Sequence, residues 1–92
     1  MSQPSAFSFH VTGRVQGVWF RGWTKDMASS LGISGWVRND ADGTVSGVIE
    51  GPPEALERMI AHLHHGPDLA RVDKVTVGAH PPEGLTEFTI LR

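Results

Sequence analysis

The sequence predicts an α+β sandwich, with two helices packed on one face of a mostly antiparallel sheet. Three observations point there. Apolar residues recur at helical spacing in two separate stretches, residues 20–31 and 56–63. Around these, short segments alternate apolar and polar residues with the period of a half-buried strand. Glycine, proline and Asn/Asp clusters punctuate the joints between the segments.

The elements follow in order. Phe7, Phe9 and Val11 alternate with Ser8, His10 and Thr12, which predicts a first strand. Gly13 and Gly17 bracket a short loop. Phe20, Thr24, Met27 and Leu31 then define a helix, with Gly32 where a left-handed cap is expected. Residues 33–38 read as a second strand, and Asn39-Asp40-Ala41-Asp42-Gly43 as a tight turn in which Asp42-Gly43 is a hairpin signal. Residues 44–50 make the third strand. Pro52, Pro53 and Glu54 suit the first turn of a second helix, whose stripe is Leu56, Met59, Ile60 and Leu63. After Gly66-Pro67, Val72, Val75 and Val77 mark a fourth strand, and the skipped spacing after Val72 predicts a bulge. A loop at Pro81-Pro82 leads to a short last strand around Phe88 and Ile90.

This order, βαββαβ plus a short C-terminal strand, is the ferredoxin-like split βαβ plan. A helix crosses between the first two strands, so they run parallel with the third inserted between them. Residues 1–6 are expected to be a flexible N-terminus, and residues 7–92 a single domain.

Composition narrows the function. With no cysteine, thiolate metal sites, disulfides and cysteine nucleophiles are excluded, and the cytoplasm is the expected compartment. The formal charge of −2 and scattered basic residues argue against nucleic acid as a partner. No run is long enough to span a membrane. An RNA-binding domain of the same plan would expose aromatics on its central strands, whereas the first strand here exposes Ser8, His10 and Thr12 if its aromatics face the helices. His62, His64 and His65 resemble a metal cluster, but His62 and His65 share a helix side while His64 points elsewhere; they read as a polar helix end, and no metal is expected. Trp23 and Trp36 read as packing residues, and Asp40 and Asp42 as turn residues. A monomer is the default.

The plan also locates chemistry. The first strand delivers its loop to the start of the first helix, where amides lack partners and the dipole is positive. Backbone amides of Gln16, Gly17, Val18, Trp19 and Phe20 are expected to converge on an anion. Arg21 at the same helix start opposes the dipole, and a phosphate dianion accounts for it. The second strand ends at the same sheet edge with Asn39, for which a plain turn role is the competing reading. No side-chain nucleophile with a base is evident there, which suggests attack by water on a bound phosphate.

The run Gly13-Arg14-Val15-Gln16-Gly17-Val18-Trp19-Phe20-Arg21 resembles the phosphate-loop motif of the acylphosphatase family. Gly35-Trp36-Val37-Arg38-Asn39 with Asp42-Gly43-Thr44-Val45 resembles that family's second motif, and the likeness extends to Phe88. The resemblance implies hydrolysis of acyl phosphates to a carboxylate and inorganic phosphate without a cofactor. It implies that Arg21 and Asn39 are the catalytic residues. Trp19 departs from the small residue commonly found at its position. The alternative is a non-catalytic module of the same fold that binds phosphate or carbamoyl phosphate. A further expectation is that the last strand runs parallel to the first, bringing the carboxylate of Arg92 to orient Arg21.

Overall fold

A computed structural model describes residues 4–92. The elements are β1 (Ser5–Arg14), α1 (Phe20–Ser30), β2 (Ser34–Asn39), β3 (Val45–Gly51), α2 (Pro53–His65), β4 (Arg71–Ala79) and β5 (Phe88–Ile90). They form one five-stranded sheet of order β4-β1-β3-β2-β5. All neighbours are antiparallel except β2 and β5, which pair in parallel. The expected α+β plan is the one observed, with β3 between β1 and β2.

The N-terminal boundary differs from the sequence expectation. Residues 1–3 lie outside the described residues, but Ser5 and Ala6 belong to β1 rather than to a flexible N-terminus. Ser5 pairs with Gly51 and Ala6 with Glu50. The Ala6 side chain is buried, and its carbonyl accepts the His80 amide at 3.2 Å. Alternation cannot reveal this start, because a lone alanine carries little hydrophobic signal.

One sheet face carries the core. Phe9, Val11, Val37, Val45 and Ile49 meet Leu56, Met59 and Leu63 of α2 and Phe20 and Ala28 of α1. Each large aliphatic side chain buried in this way stabilises the fold by ~1.5–3 kcal/mol relative to exposure. The opposite face is open. His10, Trp36, Arg38 and Ser46 border a shallow depression there, with the Arg38 guanidinium 5.2 Å from the centroid of Trp36. Trp36 therefore packs across the open face, not into the core. No helix among the described residues is long and apolar enough to cross a membrane.

Two local devices set how the strands deliver the loops. The register between β1 and β4 shifts between Thr12 and Gly13, so that Thr12 faces Lys74 and Gly13 faces Val72. This is the irregularity that the valine spacing predicts. A Cβ on Gly13 would collide with the carbonyl of Arg71, so only glycine fits the bulge. At the end of α1 the amide of Gly32 reaches the Ser29 carbonyl and that of Ile33 reaches Ala28, a Schellman pair that stops the helix and turns the chain into β2.

Candidate active site

The loop after β1 enters α1 through two left-handed residues, Gly17 at φ 74° and Trp19 at φ 65°. Trp19 is the only non-glycine residue with positive φ among the described residues. That conformation costs a side-chain-bearing residue ~1–2 kcal/mol and persists only where its surroundings impose it. Trp19 caps α1 without a side-chain hydrogen bond, and the first turn holds no acidic residue. The first backbone bond at this helix start runs from the Trp23 amide to the Trp19 carbonyl, at 2.9 Å. Among the described residues, no amide from Gln16 to Gly22 donates to the protein. The positive end of the helix dipole is thus left with free donors and no internal counter-charge.

These residues open onto a cleft of about 380 Å³. Gly17, Trp19, Phe20, Arg21 and Asn39 line it, joined from the far side by Arg92. Arg21 and Asn39, 18 positions apart in sequence, share the cleft because β1 and β2 point the same way and end at one edge of the sheet. No Asp, Glu or His side chain lines it. No group of three or more His, Cys, Asp or Glu suited to a metal occurs among the described residues.

Two of the expected loop residues do not line the cleft. Val18 turns its side chain into the core. Gln16 directs its side-chain amide away from it, donating to the carbonyl of Asp40 at 2.8 Å and to that of Thr44 at 2.9 Å. The loop is thereby stitched to the turn that follows Asn39. The turn has its own bonds: the Asp40 amide meets the Thr44 carbonyl at 2.8 Å, and the Asp40 carboxylate accepts from the hydroxyl of Ser46 at 3.0 Å and from Arg38 Nε at 3.2 Å. The Thr44 hydroxyl lies 2.6 Å from Asp42 Oδ1 and 3.0 Å from His10 Nε2. That hydroxyl, and then the Thr44 amide, hold the Asp42 carboxyl below its ordinary pKa.

The far end of the chain also reaches the site. Arg21 Nη1 lies 3.4 Å from the carbonyl oxygen of Leu91, just beyond β5. β5 runs in the same direction as β1, as expected, but the contact made is to this carbonyl; no ion pair among the described residues involves Arg21. Glu50, only 5% exposed, is a residue to which the sequence pattern assigned no role. Its carboxylate accepts the amides of Glu83, Gly84 and Leu85 at 2.7, 2.9 and 3.0 Å, fixing the loop that leads to β5. An acidic residue directly after the apolar pair Val48-Ile49 was the available signal.

A ferredoxin-like sandwich whose helix start and Arg21 guanidinium face a cleft free of acidic side chains defines a class: small α+β proteins suited to handling a compact anion. The chain belongs to the acylphosphatase family of enzymes, whose model matches residues 7–90. An acylphosphatase from Gloeobacter violaceus is 49% identical over 82 residues, spanning 89% of this chain and 88% of that protein. The structure of an acylphosphatase from Coxiella burnetii superposes with a TM-score of 0.93 at 30% identity, covering 96% of this chain and 93% of that one. The fold also matches 12% of full-length HypF in its phosphate- and nucleotide-bound form, with a TM-score of 0.92 and 26% identity.

Proposed function

We propose that this chain hydrolyses acyl phosphates by direct attack of water on phosphorus, with the phosphoryl group held by the loop amides and Arg21 and the water positioned by Asn39. The observation that carries this reading is the set of undonated amides of Gly17, Trp19, Phe20, Arg21 and Gly22, residues that line the same cleft as the Arg21 side chain and Asn39. A dianionic phosphoryl group supplies acceptors for those amides and a partner for the guanidinium.

The chemistry asks little more of the protein. The oxygen of water forms a bond to phosphorus while the bond from phosphorus to the acyl oxygen breaks. The carboxylate leaves as an anion and needs no acid. The water's proton passes to a phosphoryl oxygen, since no Asp, Glu or His side chain lines the cleft. Positioning and charge stabilisation then carry the rate, as in phosphoryl transfer generally. Asn39 stands at the last position of β2, where its side-chain oxygen can accept from the water and hold it in line.

A second reading is a module of the same fold that binds a phosphate compound without turning it over; the fold also occurs as a segment of HypF, a protein captured in a phosphate- and nucleotide-bound form. Steady-state hydrolysis of acetyl phosphate and benzoyl phosphate separates the two. Turnover inhibited by inorganic phosphate supports the hydrolase; phosphate binding without turnover supports the module.

A further inference from the structure

A second cavity, of about 400 Å³, lies between the start of α1 and the segment joining α2 to β4. Trp19, Trp23, Pro67 and Leu69 give it an apolar wall, and Asp68 is its one charged lining residue. Trp19 also lines the cleft that holds Arg21 and Asn39, so the two cavities share this residue. The most exposed large apolar side chains among the described residues are Leu69, at 77%, and Trp19, at 64%. Both stand here. Exposed apolar surface gathered at the mouth of a polar cleft marks a binding surface more than a packing one.

The indole is also held in place. Its backbone sits in the left-handed region, and the ring lies so close over α1 that a Cβ on Gly22 would collide with its ring nitrogen. A ring fixed before binding loses little freedom on contact with a ligand. An acyl phosphate has two ends separated by one bridging oxygen. A phosphoryl group seated on the loop amides therefore brings its acyl group beside Trp19. On the hydrolase reading above, on which this rests, we propose that the Trp19–Leu69 surface is the acyl subsite and selects aryl or large apolar acyl groups over acetyl. Asp68 repels acyl groups that carry a second carboxylate.

The test compares kcat/KM for benzoyl phosphate and acetyl phosphate in the wild type, Trp19→Ala and Leu69→Ala. Intrinsic leaving-group differences cancel when the ratio for a variant is divided by that for the wild type. The benzoyl-to-acetyl ratio is expected to fall about tenfold in Trp19→Ala and about threefold in Leu69→Ala, the scale on which apolar pockets discriminate. Leu69 is surface-exposed and outside the loop, so its variant tests the proposal even if Trp19→Ala disturbs the cradle. Inhibition by benzylphosphonate and methylphosphonate gives the same comparison without turnover. The benzyl compound is expected to bind about tenfold more tightly to the wild type, with the advantage shrinking in both variants. Hydrolysis of both substrates with an unchanged ratio in both folded variants overturns the subsite and leaves the hydrolase reading standing. No turnover of either substrate by the wild type overturns the hydrolase reading, and the subsite with it.

Discussion

The side-chain amide of Gln16 donates to the main-chain carbonyl of Asp40 at 2.8 Å, joining the loop before α1 to the residue that follows Asn39. Its second bond, to Thr44, closes the same link. The groups proposed to hold phosphate and to place water are thus tied together by one side chain. Gln16→Ala is expected to cost about 1–2 kcal/mol of stability, the usual net worth of two such bonds. It should also lower kcat by ~10- to 100-fold, because small errors in the placement of water are amplified in rate. Gln16→Glu should be worse, since a carboxylate would face two carbonyl oxygens. Urea denaturation and steady-state kinetics check both; wild-type kcat in a folded Gln16→Ala variant counts against the link.

Arg21 and Asn39 should separate by role. Arg21→Ala is expected to weaken phosphate binding and turnover together, by ~2–5 kcal/mol, as for removal of one partner of a close charge pair. Arg21→Lys should rescue poorly, because a point charge lacks the planar fork. Asn39→Ala should keep phosphate affinity while turnover falls by ~10²–10³-fold. Phosphate titration beside a hydrolysis assay decides the matter. Equal loss of phosphate affinity in the two variants defeats the division, and wild-type turnover in Asn39→Ala returns that residue to a turn role.

Inorganic phosphate should compete with substrate and raise the melting temperature. A ligand that binds only the folded state stabilises it by ~2.7 kcal/mol at a hundredfold excess over its dissociation constant. Saturating phosphate that neither inhibits nor stabilises would rule out the amide cradle.

Glu50 should be a stability residue. Glu50→Ala strips three amides of their shared acceptor and is expected to cost ~3 kcal/mol, with Glu50→Gln intermediate. The loop before β5 should then exchange its amide protons faster. A Glu50→Ala variant within ~0.5 kcal/mol of wild type, the range of an ordinary surface substitution, would contradict this anchoring.

Asp42 supplies a pH prediction with a definite sign. Its carboxyl is held below the ordinary value by the Thr44 hydroxyl first and the Thr44 amide second. A folded-state value below the unfolded one means a contribution present above the unfolded value and lost as pH falls through the folded one. The turn should therefore keep this contribution at neutral pH and lose it only in acid. Titration of the carboxyl carbon by NMR should give an Asp42 midpoint below that of a free aspartate, moving up in Thr44→Val; an unshifted midpoint in the wild type refutes the contact.

The order of elements, the irregularity of β4 after Val72, the stop at Gly32 and the turn at Asp42-Gly43 were all legible in the chain, because each rests on a local rule: a period of two or 3.6, or a backbone conformation that few residues accept. Trp19, Phe20, Arg21 and Asn39 were legible as neighbours for a topological reason, since a helical crossover brings the ends of two parallel strands to one edge. Tertiary structure alone decided the rest. The target of the Gln16 side chain lies 24 and 28 positions away, and the amides that surround Glu50 lie 33 to 35 away. Leu69 meets Trp19 across one cavity, and the open sheet face takes Trp36, for which the sequence indicated packing but not which face. No local pattern records such pairings, because the direction of a polar or exposed side chain is set by whichever distant backbone the packed core happens to bring within reach.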